Sequence, residues 1–339
     1  MTLATADIAG CLDSRTLRLI LLPTEACNFR CVYCYEDFAL GRMRPRVVQG
    51  VKRLLSARAP GLDSLMLSWF GGEPLLARDI IEDILRHAAE LVAAHPQMTL
   101  TSDVTTNGYL LDRPLFERLL DLGVSQYQVS FDGPRDWHDR KRLRADGAGT
   151  FDQVWGNLKA IAAVRRQFSI TVRVHVDREN HTAVPEFLRD FERVFGADER
   201  LQLYIRPLSK FGGPNDAGLP VFDEAEGKRI ADGLSHSARD RGLPEIDLES
   251  MRSICYASAG NSFVVRADGR LNKCTLALNH PANQVGRIEE DGTLKLDTPA
   301  TLRWMRGLQS GEAQELECPM LGLADVAPPT IAVSTAAAG

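Results

Sequence analysis

From Leu17 to Pro207 the chain alternates short apolar runs with longer amphipathic stretches. This alternation constrains the fold more than any other feature. Short apolar runs between helix-like stretches argue for repeated βα units and a mainly parallel sheet. The strands are expected at Leu17 to Leu22, Leu65 to Phe70, Thr99 to Thr105, Gln126 to Phe131, Ile170 to Val176 and Leu201 to Arg206. Helices are expected over Arg46 to Ala57, Ala77 to Ala94, Arg113 to Leu122, Phe151 to Arg166 and Pro185 to Phe195. About six units are too few to close an eightfold barrel, so the expected fold class is α/β, a partial (β/α)6 TIM-like barrel.

After Pro207 the texture changes. Ser209 to Pro220 is rich in Gly, Pro and Asn and reads as a connector. One more amphipathic helix, Asp223 to Arg241, precedes a hairpin made of Ser262 to Val265, the turn Ala267-Asp268-Gly269, and Leu271 to Leu276. The expected organisation is an N-terminal segment over 1–16, the barrel over 17–208, a connector and helix over 209–250, a smaller hairpin-containing extension over 251–322 and a disordered tail over 323–339.

Charge narrows the partners. Acidic residues outnumber basic ones, 45 to 40, leaving a formal net charge of -5, so the surplus of cations that nucleic acid attracts is absent. No apolar run approaches the ~18 residues of a membrane span. The first residues carry Asp7 and Asp13 and lack a basic segment, unlike a secretory signal. The expectation is a cytoplasmic protein whose thiols stay reduced, where clustered cysteines suggest metal before disulfide.

There are seven cysteines, and three of them, Cys27, Cys31 and Cys34, form a C-x3-C-x2-C run just beyond the first strand. Three thiolates in so tight a loop suit one corner of a [4Fe–4S] cluster, with the fourth iron left without a protein ligand. A zinc site is the competing reading. It needs four protein ligands, and no histidine occurs before His87. Inert buried cysteines fit poorly beside Glu25, Asn28 and Arg30.

The triplet, with Tyr33 before its last cysteine, resembles the cluster motif of the radical S-adenosylmethionine (SAM) enzymes. That resemblance extends over Leu17 to Arg206, because further motifs follow in order. Gly71-Gly72-Glu73 ends the second strand, where two glycines permit close backbone approach and Glu73 offers an acceptor for an ammonium group. Thr105-Thr106-Asn107-Gly108 and Ser130-Phe131-Asp132-Gly133-Pro134 end the next two strands. The resemblance implies that SAM chelates the open iron and that one electron cleaves its sulfonium to a 5′-deoxyadenosyl radical. It also implies that the Gly-Gly-Glu motif holds the SAM amino group and that Ser130, with Asp132, meets the ribose. His138-Asp139-Arg140-Lys141-Arg142 is similar to the H-D-x-x-R segment of the peptide-modifying branch. Arg142 is the candidate for the SAM carboxylate, with Arg140, Lys141 and Arg144 as neighbours that compete for the assignment. Arg173 and the Asn180 loop are secondary candidates, and His175 and His181 are expected to serve structure.

Cys255, the G-x4-C hairpin ending in Cys274, and Cys318 before Pro319 resemble part of the SPASM or shortened twitch extension, which binds auxiliary [4Fe–4S] clusters. If Cys318 is the second cysteine of that extension's C-x2-C-x5-C-x3-C run, then Glu315, Ala324 and Pro328 occupy the other places. One auxiliary cluster on Cys255, Cys274 and Cys318 is therefore expected rather than two, the alternative being a hairpin that binds nothing. Cys11 is expected to be a stray thiol.

Among enzymes of this kind the sequence is most similar to maturases of ribosomally made peptides. Sulfatase maturases carry an aspartate after the G-x4-C cysteine, where this chain has Thr275, which counts against them. The leading expectation is a carbon–carbon cyclophane cross-link in a precursor peptide, ahead of a thioether or an epimerised residue. A radical enzyme on a small metabolite and a non-catalytic electron carrier are the other classes. The carrier has no use for the Gly-Gly-Glu and Ser130 motifs. Implied partners are the precursor peptide, an electron donor such as flavodoxin or ferredoxin, and a separate leader-binding protein, since the stretch before Leu17 is too short for a leader-binding domain of its own.

Overall fold

In the computed structural model, which describes residues 5–246 and 254–323, the strands are β1 (Thr16–Leu21), β2 (Phe29–Cys31), β3 (Ser64–Trp69), β4 (Thr99–Thr106), β5 (Val124–Phe131), β6 (Arg142–Arg144), β7 (Ser169–Val176), β8 (Leu201–Pro207), β9 (Ser262–Val265), β10 (Arg270–Asn272), β11 (Gln284–Ile288) and β12 (Leu294–Leu296). The main helices are α1 (Thr5–Leu12), α2 (Pro45–Arg58), α3 (Arg78–Ala94), α4 (Arg113–Asp121), α5 (Arg135–Lys141), α6 (Phe151–Ala162), α7 (Val184–Phe195) and α8 (Glu224–Asp240). The α/β fold with a large, mainly parallel sheet is that of a partial barrel. The tail expected to be disordered lies, from residue 324, outside the described residues.

The chain forms two compact units, one from residues 1–26, 38–102 and 248–339, the other from residues 27–37 and 103–247. In the first, strand order is β12-β11-β10-β9-β1-β3; in the second it is β5-β7-β8.

In the first unit β1 pairs in parallel with β3, and Leu17, Leu19 and Leu21 lie opposite Leu65, Leu67 and Trp69, all buried. On its other side β1 pairs in parallel with β9, which opens an antiparallel run to β10, β11 and β12. The hairpin was legible, but its second strand ends at Asn272 rather than Leu276. The Asn283 side chain accepts the N–H groups of Lys273 and Cys274, each at 2.9 Å, and draws them out of the ladder.

In the second unit β5, β7 and β8 are parallel. Helix α7 buries Val184, Phe187, Leu188, Phe191 and Phe195, the spacing of one apolar helix face. Helix α6 stops at Ala162, short of the expected Arg166. The Arg200 guanidinium takes the carbonyls of Ala162 and Val164, at 2.8 and 2.6 Å, so the orphaned acceptors of the last turn are satisfied without further helix. The segment that carries His138 to Arg142 is α5 followed by β6, and β6 pairs antiparallel with β2.

Candidate active site

The cysteine loop is tied to the second unit by that two-stranded pairing, in which Phe29 faces Arg144, Arg30 faces Leu143 and Cys31 faces Arg142. The register decides among the basic side chains. Lys141 is buried in an ion pair with Asp177 and Glu179. Arg144 turns to Asp146 and Tyr109, and Arg140 lies over the Trp137 ring. Only Arg142 enters the cysteine loop, donating from Nη1 to the Tyr33 hydroxyl at 2.6 Å. Tyr33 in turn donates to Asp132, 2.8 Å from Oδ2.

Around this chain of three the groups are buried and their ionisation is bent accordingly. Burial alone would raise Asp132, but the hydrogen bond from His175 and the charge of Arg142 bring it down to about 2. Burial, helped by Arg173, pushes His175 down to about 4, so its 3.3 Å contact with Asp132 is that of a neutral imidazole with a carboxylate. Burial takes His138 down to about 3. Its Nε2 is 3.0 Å from the Thr150 hydroxyl, which donates onward to the Arg142 carbonyl at 2.6 Å, so Nε2 is the donor. The rest of the H-D-x-x-R segment holds Arg142 in place. Asp139 accepts the N–H groups of Thr150 and Phe151 at 2.7 and 2.8 Å, and a Cβ on Gly149 would stand 2.4 Å from Asp139.

The other expected contacts fall on the same strand ends. Ser130 accepts a 3.2 Å hydrogen bond from Arg173. Asn107 donates to Asn28 at 2.8 Å and lies 3.9 Å from the Cys27 sulfur. Asn180 clamps β5 to β7 by donating to the carbonyls of Asp132 and His175, at 3.0 and 2.9 Å. His181 contacts the Asp177 carbonyl at 3.1 Å. His175, expected to be structural, lies against Tyr33 and Asp132 at the hub.

In the first unit Gly71 and Gly72 follow β3. A Cβ on Gly71, whose φ is +117°, would stand 2.3 Å from the Thr24 carbonyl, and one on Gly72 would stand 2.6 Å from that of Ala26. Both glycines are demanded by the close approach of the segment leading to Cys27. Buried Glu73 accepts the Leu75 N–H at 3.0 Å. Sequence reasoning passed over Glu25, which forms a fully buried ion pair with Arg266, 3.1 Å at Nε.

Cys27, Cys31 and Cys34 are half-buried thiols. Burial raises Cys31 and takes Cys34 up to about 12, so thiolates here need an added cation. The local backbone is already arranged for thiolates. The Phe29 N–H points at the Cys27 sulfur, 3.3 Å away, and the Glu36 N–H favours the Cys34 thiolate. The same device recurs in the first unit, where Cys255, Cys274 and Cys318 are buried together. There the N–H of Ala257 serves Cys255, those of Leu276 and Ala277 serve Cys274, and those of Met320 and Leu321 serve Cys318. In each case the donor lies two or three residues after the sulfur, the kind of hydrogen bond that tunes iron–sulfur ligands. Burial, reinforced by the neighbouring thiols, takes Cys255 to about 12 and Cys274 to about 11. Glu315, at one of the places the full extension gives to cysteine, pairs with Arg306 at 2.8 Å. Ala324 and Pro328 lie outside the described residues. Among the described residues no three such groups converge on a single-ion site. A cluster takes its ligands on separate irons.

The donor set therefore fits an iron–sulfur cluster, and the orphaned Nε of Arg142, buried without a partner, fits an anionic ligand beside it. Among the described residues no helix is long and apolar enough to cross a membrane. Comparison with known proteins agrees with the site. The family model described as Radical SAM superfamily matches residues 21–191. The chain is 34% identical over 317 residues to the GTP 3',8-cyclase of Microcystis aeruginosa, covering 85% of this chain and 87% of that protein. It is 27% identical over 277 residues to the PqqA peptide cyclase of Gluconobacter oxydans, covering 78% of this chain and 72% of that one. Among solved structures it is similar to native anSMEcpe with bound AdoMet and Kp18Cys peptide, with a TM-score of 0.65 at 17% identity, covering 91% of this chain and 86% of that one.

Proposed function

Because the chain belongs to the radical SAM superfamily, whose members use a [4Fe–4S] cluster and SAM, we propose that it is an enzyme that modifies a ribosomally made peptide, forming a carbon–carbon cross-link within it. In this reading Cys27, Cys31 and Cys34 hold the cluster. Gly71, Gly72 and Glu73 serve the amino group of SAM, Ser130 and Asp132 its ribose, and Arg142 its carboxylate, with Tyr33 and Asn107 fixing the loop. When bound, cluster and SAM supply an adenosyl radical that abstracts hydrogen from carbon. The protein's own contribution is placement. Arg142 is held charged and oriented by Tyr33, Asp132 stays ionised, and His138 and His175 stay neutral at physiological pH. The hub neither takes up nor releases a proton near neutrality.

Cys255, Cys274 and Cys318 hold one auxiliary cluster in the 251–322 extension. The observation that carries the peptide reading is this second buried trio on the hairpin, together with the relatives whose names specify a peptide substrate. Flavodoxin or ferredoxin as reductant, a separate leader-binding protein and a cytoplasmic, reducing location complete the proposal. A nucleotide substrate is the second reading, favoured by the 34% identity to a GTP cyclase. Incubation of the reconstituted enzyme with SAM, reductant and either the peptide encoded beside its gene or GTP separates them by mass spectrometry. Loss of hydrogen from the peptide supports the first reading. Consumption of GTP with the peptide unchanged refutes it.

A further inference from the structure

The inner face of β5, β7 and β8 carries more buried positive charge than the hub uses. In the β7–β8 register Tyr204 lies opposite Arg173 and Arg206 lies opposite His175. Side chains directly opposite share a face, so Arg173 and Arg206 are diagonal neighbours on the face that bears Ser130. Arg206 is 6% exposed, and among the described residues its side chain makes no hydrogen bond and no ion pair. Its guanidinium lies 5.9 Å from the centre of the Tyr204 ring. Arg173 donates to Ser130, and its Nε is buried without a partner. The carboxylates nearby are already engaged, Asp132 by Tyr33 and His175, and Asp177 by Lys141.

Two buried guanidiniums side by side, without a carboxylate between them, are unfavourable in the empty protein. Burial and the charge of Arg206 together take Arg173 down to about 10. An anion shared between them would relieve that repulsion, and the planar guanidinium fork matches a carboxylate. We propose that Arg173 and Arg206 form a seat for a carboxylate of the substrate, separate from the anion served by Arg142. Resting on the peptide reading, the seat takes an Asp or Glu side chain, or a chain-terminal carboxylate, and sets which part of the peptide is presented.

Titration calorimetry of the reconstituted enzyme with N-acetyl-glutamate amide, N-acetyl-glutamine amide, inorganic phosphate and SAM tests this, on the wild type and on Arg206→Met and Arg206→Lys. The glutamate probe is expected to bind about tenfold or more tightly than the glutamine probe, the worth of charge-assisted hydrogen bonds. Arg206→Met should erase that preference and affect SAM less, and Arg206→Lys should keep part of it. Arg206→Met should also melt no lower than the wild type, since it relieves repulsion on Arg173. A purely structural arginine would lower the melting temperature instead. No preference between the two probes overturns the seat, as does a larger loss of affinity for SAM, which would assign Arg206 to SAM itself. Phosphate binding more tightly than the glutamate probe, and lost in Arg206→Met, overturns the carboxylate assignment. The peptide reading fails separately. An intact, Arg206-dependent glutamate preference with no peptide modified refutes that reading and leaves the seat standing.

Discussion

Replacing Tyr33 with Phe removes a single oxygen from the centre of the hub. That oxygen accepts from Arg142 at 2.6 Å and donates to Asp132 at 2.8 Å, both bonds to charged groups. At ~1.5 kcal/mol each, their loss costs ~3 kcal/mol. Arg142 and Asp132 can recover ~1 kcal/mol by moving into direct contact. The net destabilisation is ~2 kcal/mol, a factor of about 30 in the folding equilibrium. The ring remains, with its 5.3 Å contact to His175, and so do all three cysteines, so iron content should not change. Urea unfolding under anaerobic conditions reads the stability, and iron and sulfide analysis reads the cluster. A shift in unfolding free energy under ~0.5 kcal/mol, or a loss of iron equal to that of a cysteine variant, would show that the hydroxyl does not organise the hub as described.

Changing Cys27, Cys31 and Cys34 to Ala should remove one cluster's worth of iron, and changing Cys255, Cys274 and Cys318 should remove another; iron unchanged in the second variant would refute the auxiliary cluster. Glu25→Gln should cost ~3–5 kcal/mol by stranding the Arg266 charge in the interior, measured as a lowered urea midpoint, and adding Arg266→Met should restore most of it. His138 and His175 are held at about 3 and about 4, below the ordinary 6.5, so the unfolded chain binds up to two more protons between those values. Stability should be full above pH 6.5 and fall as pH drops through about 6.5 to 4, by up to ~2.7 kcal/mol per unit. Asp132, lowered to about 2, keeps its contribution until the pH falls below about 4. Urea midpoints at pH 7 and pH 5 check this, and equal midpoints would refute it.

The strands and the cysteine triplet were legible because their signals are local. Alternating apolar runs give β1, β3, β4, β5, β7 and β8 within a residue or two, and three cysteines in eight residues need no tertiary context. The basic cluster at 140–144 was not legible to the same depth, since four cations stand in five positions. Which one serves the site is fixed by β2 pairing with β6, a contact between segments over a hundred residues apart. The Glu25–Arg266 pair was missed for the same reason, its partners lying 241 positions apart. His175 was underrated because one histidine on a strand looks like core until Asp132 and Tyr33 are seen against it. Arg206 carries no sequence signal. Its meaning comes from lacking a counter-ion in space.

The two-residue-period ladder between β2 and β6 has an engineering consequence. Cys31 and Arg142 lie directly opposite one another in that ladder, so inserting a single residue between α5 and Arg142 would swing every side chain of that strand to the opposite side. The inserted residue would then stand opposite Cys31, and the guanidinium would point away from Tyr33. The sulfur-bearing strand and its cationic counterpart must be transplanted as one piece, and a chimera whose seam falls between them should take up iron yet lose its grip on the small-molecule cofactor.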